Sequence, residues 1–302
     1  MVDKIEVIDL QFQGKPQAIA SYLLPHSSGV VLVESGPGSS LVALQAALRQ
    51  RGYTLADVTH VLLTHIHLDH AGAAGEISEY GAQVLVHPVG APHLLEPSKL
   101  ITSATRIYGD RMESLWGRFL PVAPERLSIL VDREEFQIGN LRFLPLFTPG
   151  HAEHHACFLH QNVCFSGDIG GIRIPGYQYL RLPMPPPELN LQKWRHSVEL
   201  LRSQKISRFA PTHFGFYDDV TWQLDALEAT IHNTDAWMED HFSKPNTVEE
   251  LKVKFQSWMD EQAGSQGLSP QAVQAFALSN PVGMSVDGMA RYWNKVLHPP
   301  VL

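Results

Sequence analysis

The feature that most constrains this chain is the stretch Val61-Leu62-Leu63-Thr64-His65-Ile66-His67-Leu68-Asp69-His70-Ala71-Gly72. Three imidazoles and a carboxylate (His65, His67, Asp69 and His70) fall within six residues. An apolar β-type run leads in, and small residues lead out toward a helix. If a strand ends at Thr64, side chains two apart point the same way, so His65 and His67 emerge on one side. Asp69 and His70 follow from the loop or the helix start. A single histidine at a strand end is ordinary surface polarity. Four ligand-type groups in six positions behind an apolar strand are not explained by solvation or packing. The set matches the preference of borderline divalent metals for neutral imidazole and carboxylate.

Three later positions extend it: Thr148-Pro149-Gly150-His151, Phe165-Ser166-Gly167-Asp168 and Pro211-Thr212-His213-Phe214-Gly215. Each ligand-type residue follows a short β-type run, with Gly or Pro beside it to permit a tight turn. Strand ends at one rim of a sandwich can converge on one cleft. Five histidines and two aspartates suit two metals sharing a carboxylate.

Around these positions, residues 5–10, 18–24 and 30–35 read as strands. Leu41, Leu44 and Leu48 mark a helix that Gly52 stops. Glu34-Ser35-Gly36-Pro37-Gly38-Ser39 lacks the lysine and spacing of a phosphate loop and reads as a turn beside the site. A strand at 58–64, a helix at 71–80 and a strand at 83–87 give the β-α-β alternation of an α/β fold. Residues 89–126 interrupt this rhythm with helical pattern carrying Tyr108, Met112, Trp116 and Phe119, either a packed helical pair or a lid over a pocket. Residues 127–131, 135–138, 141–147, 156–160 and 163–166 read as successive antiparallel strands. The Gly/Pro-rich loop 169–187 follows Asp168 directly, which makes Arg173, Tyr177, Tyr179 and Arg181 candidate substrate contacts. A helix is expected from 188. Past residue 218 the pattern is helical throughout, with a Thr247/Glu250 capping box and a helix start at Ser269-Pro270.

Composition sets outer bounds. A formal charge of −8 disfavours nucleic acid as the main partner. The first residues lack a basic start followed by an apolar run, and no apolar run is long enough to span a bilayer, so a cytoplasmic protein without membrane partners is expected. Cys157 and Cys164 flank the turn Gln161-Asn162; a two-residue turn sets Cys157 opposite Ser166 and Cys164 opposite Leu159, a poor geometry for a disulfide. Aromatic groups in the tail suggest a homodimer face.

The order His-x-His-x-Asp-His, then Thr-Pro-Gly-His, Ser-Gly-Asp and Thr-His-Phe-Gly resembles the metallo-β-lactamase fold hydrolase superfamily, its glyoxalase II and lactonase-like branches in particular. The resemblance spans roughly residues 5–217 and implies an αββα sandwich with metals at one edge of the two sheets, followed by a C-terminal helical extension. Taken with the helical pattern of the chain, this gives a catalytic domain at 1–218, with 89–126 as the candidate helical lid insertion, and a helical extension at 219–302. It assigns His65, His67 and His151 to a first metal, Asp69, His70 and His213 to a second, and Asp168 to the bridging position. His155 matches a further histidine of the pattern in a supporting role; His60, His87, His154 and His160 match no ligand position. Two divalent ions are implied, zinc first, with manganese or iron as alternatives. The implied activity is hydrolysis of a small ester, thioester or lactone by a hydroxide shared between the metals, with Asp69 orienting the water. Two other readings stand beside it: a persulfide-dioxygenase-like redox enzyme with one iron, and a small-molecule phosphodiesterase. A non-catalytic module would have lost ligands, and none is lost here.

Overall fold

Gly-Val-Val-Leu-Val at Gly29–Val33 is apolar with three β-branched valines, and it forms a central strand of the first sheet. That sheet orders β1 (Glu6–Asp9), β2 (Ala20–His26), β3 (Gly29–Val33), β4 (Val58–Leu62), β5 (Gln83–Val86) and β6 (Leu127–Ile129) side by side in chain order. The first three are antiparallel neighbours. From β3 to β6 every pairing is parallel. Each parallel step needs a long crossover. Leu41–Gln50 supplies the first, and Leu68–Ala71 with Ala74–Glu79 the second. Ala91–Leu95, Ser98–Tyr108 and Met112–Trp116 lie within the third.

Two expectations are corrected here. Residues 127–129 do not open the antiparallel series; β6 pairs parallel with β5, Val84 opposite Leu127 and Val86 opposite Ile129. The long helical segment before it carries the chain back to the same sheet edge, which a hairpin could not do. The helix expected at 71–80 is two short pieces beginning at Leu68, because His67, extended at φ −60° and ψ 155°, already forms the N-cap.

The second group, β7 (Phe136–Ile138), β8 (Leu141–Phe147), β9 (Ala156–His160) and β10 (Val163–Phe165), is an antiparallel meander. Buried Tyr22 of β2 meets buried Phe165 of β10 edge-on at 5.3 Å, so the two sheets share an apolar interior. Cys164 pairs opposite Leu159, and the Cys157 thiol lies 3.7 Å from the Ser166 carbonyl, the register the two-residue turn implies. Both thiols are free and buried, and burial pushes the Cys164 thiol well up.

The computed structural model describes residues 4–299. The described chain divides into two compact units. One holds the residues up to Phe147 together with His154–Gly167; the other holds Thr148–Glu153 and the residues from Asp168 onward. The second unit contains the helices Leu191–Arg202, Val220–Phe242, Val248–Ser265, Pro270–Ser279 and Val282–Tyr292. Thr247 and Glu250 form the expected capping box, and Ser269 caps the helix that Pro270 opens. Trp237 packs edge-on against Phe255 at 4.8 Å in the core of this unit. The segment 169–187 belongs to that core as well: Ile172 bridges Arg181, and Ile172, Ile174 and Tyr179 pack with Ala263 and Phe276. Among the described residues no helix is long and apolar enough to cross a membrane.

Candidate metal centre

In the first unit the ligand-type residues follow directly from β4. His65 and His70 are fully buried, and the Asp69 side chain keeps 19% of its surface exposed. His65 Nε2 lies 2.9 Å from His67 Nδ1, the rings of His65 and His70 are 3.8 Å apart, and His70 Nε2 is 3.6 Å from an Asp69 oxygen. For comparison, nitrogens at about 2.0–2.1 Å from one tetrahedral zinc stand about 3.3 Å apart.

The residue that organises this cluster, Glu34, was not singled out from the sequence. It extends β3 by one position, where its N–H donates to the Leu62 carbonyl. It is fully buried at φ 69°, a left-handed conformation unusual for a non-glycine residue. The Thr64 hydroxyl donates to Glu34 Oε1 at 2.5 Å, and His70 Nδ1 lies 3.0 Å from the same oxygen. His65 Nδ1 is 3.0 Å from the Thr64 hydroxyl. Since that hydroxyl gives its proton to Glu34, it accepts from His65 Nδ1–H. Glu34 thus fixes His65 through Thr64 and His70 by its own oxygen, with Nε2 of each ring turned away from these contacts. The hint in the sequence was an acidic residue ending a wholly apolar strand. Its meaning depends on the β3–β4 pairing, which runs to Val33 opposite Leu62 and so brings the Glu34 side chain within reach of Thr64.

The glycine-rich turn after Glu34 lies beside this cluster, as its sequence implied. The Ser35 and Gly36 N–H groups and the Ser35 hydroxyl all donate to the His70 carbonyl, at 2.9, 3.1 and 2.8 Å. Two more histidines stand close: the ring of His155 is 5.1 Å from that of His65, and the ring of His154 is 5.5 Å from that of His67. Tyr108, from the β5–β6 crossover, is held up in pKa by burial and by the negative charge of Asp69. Its phenol stays protonated near that carboxylate. At Gly167 (φ 49°) a Cβ would stand 2.5 Å from the Thr64 hydroxyl and 2.6 Å from His155, so only glycine fits there.

The second unit carries the other ligand-type residues, all nearly buried. His151 Nε2 is 3.2 Å and His213 Nε2 3.5 Å from the two Asp168 oxygens. The Pro183 carbonyl sits 2.8 Å from His151 Nδ1, which makes that nitrogen the N–H donor and turns Nε2 toward Asp168. The helix Leu191–Arg202 fixes both positions. Its Ser197 hydroxyl donates to the Pro149 carbonyl at 2.7 Å, and Trp194 Nε1 donates to the Ile169 carbonyl at 3.0 Å. Gly150 lies so close that a Cβ would stand 2.5 Å from the Trp194 backbone. His213 is placed by two backbone bonds between its own turn and Arg173.

The four residues read as substrate contacts have neighbours inside the second unit. Arg173 makes a two-bond pair with Asp219 at 2.7 and 2.9 Å, with Tyr217 and Trp222 against its guanidinium. Tyr177 donates to Ser269. Tyr179 is buried against Phe276, and Arg181 is 1% exposed. Of the other histidines, His87 packs on Phe147 and His160 Nδ1 donates to the Arg142 carbonyl.

Glu34, His65 and His70 bring donor atoms close enough together to hold a metal ion, and His65, His70 and His151 each have an Nδ1 partner in place, a donor chemistry that fits a divalent ion. The family model described as metallo-beta-lactamase superfamily matches residues 14–213. The metallo-beta-lactamase fold-containing protein ST1585 of Sulfurisphaera tokodaii is 26% identical over 188 residues, 61% of this chain and 68% of that one. Its crystal structure aligns with a TM-score of 0.67 at 20% identity, covering 96% of this chain and 99% of that chain. The metallo-beta-lactamase family protein TTHA1429 from Thermus thermophilus aligns at 0.68 and 23% identity, covering 96% of this chain and 92% of that chain. A protein named atrochrysone carboxyl ACP thioesterase, from Aspergillus fumigatus, is 24% identical over 298 residues. That match covers 92% of this chain but 61% of the fungal protein, so the chain spans less than two thirds of that relative's length.

Proposed function

The chain belongs to the metallo-β-lactamase superfamily, and on that footing we propose that it is a metal-dependent hydrolase of a small ester, thioester or lactone, working with two divalent ions. His65, His67 and His151 would hold one ion, Asp69, His70 and His213 the other, and Asp168 both. The observation that carries this reading is the fixed orientation of the imidazoles. Thr64, Glu34 and the Pro183 carbonyl take up the Nδ1 positions of His65, His70 and His151, as ligands held for coordination through Nε2 require. The fungal relative named as a thioesterase favours a thioester within this class.

Bound divalent ions supply Lewis-acid polarisation of the scissile carbonyl and lower the pKa of water toward neutrality. The chain's residues do the rest. Asp69 has the side chain best placed to orient the attacking water and take its proton, since it alone among the ligand-type residues of its unit is ionisable at oxygen and partly open to solvent. Tyr108 feels the negative charge of Asp69 and stays neutral, so its phenol could donate a hydrogen bond to a bound substrate. The reaction needs no serine or cysteine nucleophile, and the buried Cys164 thiol, with its raised pKa, is unsuited to that role.

The test is a panel of esters, thioesters, lactones and small phosphodiesters, assayed before and after chelation. Turnover on a carboxylic ester or thioester, lost with the chelator and restored by zinc or manganese, is expected. Turnover unaffected by complete metal removal would refute the reading. So would a metal-loaded protein active only on phosphodiesters.

A further inference from the structure

Arg181 is the most unusual charged residue of the second unit. It is 1% exposed, and its Nη2 is buried without a hydrogen-bond partner. Its Nε reaches the Tyr179 hydroxyl at 3.4 Å, and the guanidinium stands 5.1 Å from the Phe276 ring. Arg173, buried to a similar degree, is instead matched by Asp219. A guanidinium stays charged at any physiological pH, and aromatic faces offset its burial only in part.

Arg181 lines a cavity of about 50 Å³ formed by the segment 179–184 and the helices Val220–Phe242 and Val248–Ser265, and no acidic residue lines it. Phe255 and Met259 are its buried apolar wall, with Met184 and the half-buried Trp258. Asn233 and Gln262 lie at more exposed positions of the lining. Its threonine hydroxyls donate to carbonyls one helical turn back, and its Asn280 amide holds the Leu182 carbonyl and the Ser285 hydroxyl. The buried charge inside is therefore cationic, against an apolar wall of Phe255, Trp258, Met259 and Met184 with neutral amides and hydroxyls around it.

We propose that this cavity is a binding site for a short aliphatic carboxylate, with Arg181 as its counter-charge and the alkyl chain against Phe255, Trp258 and Met259. A planar carboxylate is the natural partner of the guanidinium fork. Size sets the class: at about 10–15 Å³ per water molecule, the cavity takes about four such volumes, the scale of propionate or butyrate. None of the lining residues belongs to the metal-ligand set. The site does adjoin it in sequence, since Pro183, between the lining residues Leu182 and Met184, is the residue whose carbonyl orients His151.

The experiment is a titration of the full chain with butyrate, followed by Trp fluorescence and by calorimetry, with butyramide as the neutral analogue. Saturable butyrate binding is expected, with butyramide at least tenfold weaker. Arg181→Gln should weaken butyrate at least tenfold, and Val282→Phe, which narrows the cavity at a half-buried lining position, should weaken it too. The comparison of acid with amide needs no variant, so the proposal stays testable if Arg181→Gln does not fold. No saturable butyrate signal, equal binding of the amide, or butyrate binding unchanged in Arg181→Gln (which would place it at the metals) overturns the proposal.

Discussion

Asp168→Ala is expected to abolish turnover and to release metal from the protein while leaving the fold intact. The two oxygens of this carboxylate face two different imidazoles, His151 at 3.2 Å and His213 at 3.5 Å. Removing a partner that merely orients a ligand costs about 10–100-fold in metal affinity or activity, so removing the carboxylate proposed to bridge the ions should exceed about a hundredfold. The local backbone does not depend on this side chain: the Gly171 N–H bonds to the Asp168 carbonyl, and Trp194 secures the neighbouring Ile169 carbonyl. Circular dichroism of the variant should therefore match the parent. Elemental analysis together with a turnover assay makes the check. A variant that kept its full metal content and rate would remove Asp168 from the site.

The second large effect is expected at Glu34, through residues it holds in place. Glu34→Gln keeps the shape but replaces a carboxylate that accepts from both the Thr64 hydroxyl and His70 Nδ1 with a neutral amide. Metal affinity should fall by about 10–100-fold, with little change in the unfolding temperature. Glu34→Ala should lose the same affinity and also stability, by about 1–3 kcal/mol, because it strands buried polar groups on Thr64 and His70. Competition with a chelating dye reads the first effect and thermal unfolding the second. Affinity in Glu34→Gln within twofold of the parent would show that His65 and His70 are oriented without this carboxylate.

The contrast between these two residues shows what the sequence could reveal. Asp168, His151 and His213 each announce themselves locally, as a ligand-type side chain after a β run with glycine or proline alongside. The cluster at 65–70 does so even more strongly. Glu34 has no such signature. It looks like the first residue of a breaker loop, and its role appears only when β3 and β4 pair in parallel and bring it to Thr64. Tyr108 was visible as a large group in a helical segment, but its nearness to Asp69 follows from how the β5–β6 crossover packs.

The same distinction holds for the fold. Local signals placed the strands, the Thr247 capping box and the register of Cys157 and Cys164. The direction of β6 is a long-range property, set by about forty intervening residues, and hydrophobic periodicity carries no trace of it. Loop composition gives no sign of packing: Gly- and Pro-rich 169–187 contributes Ile172, Ile174 and Tyr179 to a core. Arg173 and Arg181 have the right chemistry for a substrate anion, but the first is neutralised by Asp219.

The most direct test of the account is the metal content of the protein purified without added metal, measured by elemental mass spectrometry against a quantified chain concentration. The proposed two-metal hydrolase predicts about two divalent ions per chain, zinc or manganese. A single iron per chain would contradict this and point instead to oxygen-dependent chemistry, and a protein that retained no metal and bound none on titration would contradict the metal centre itself.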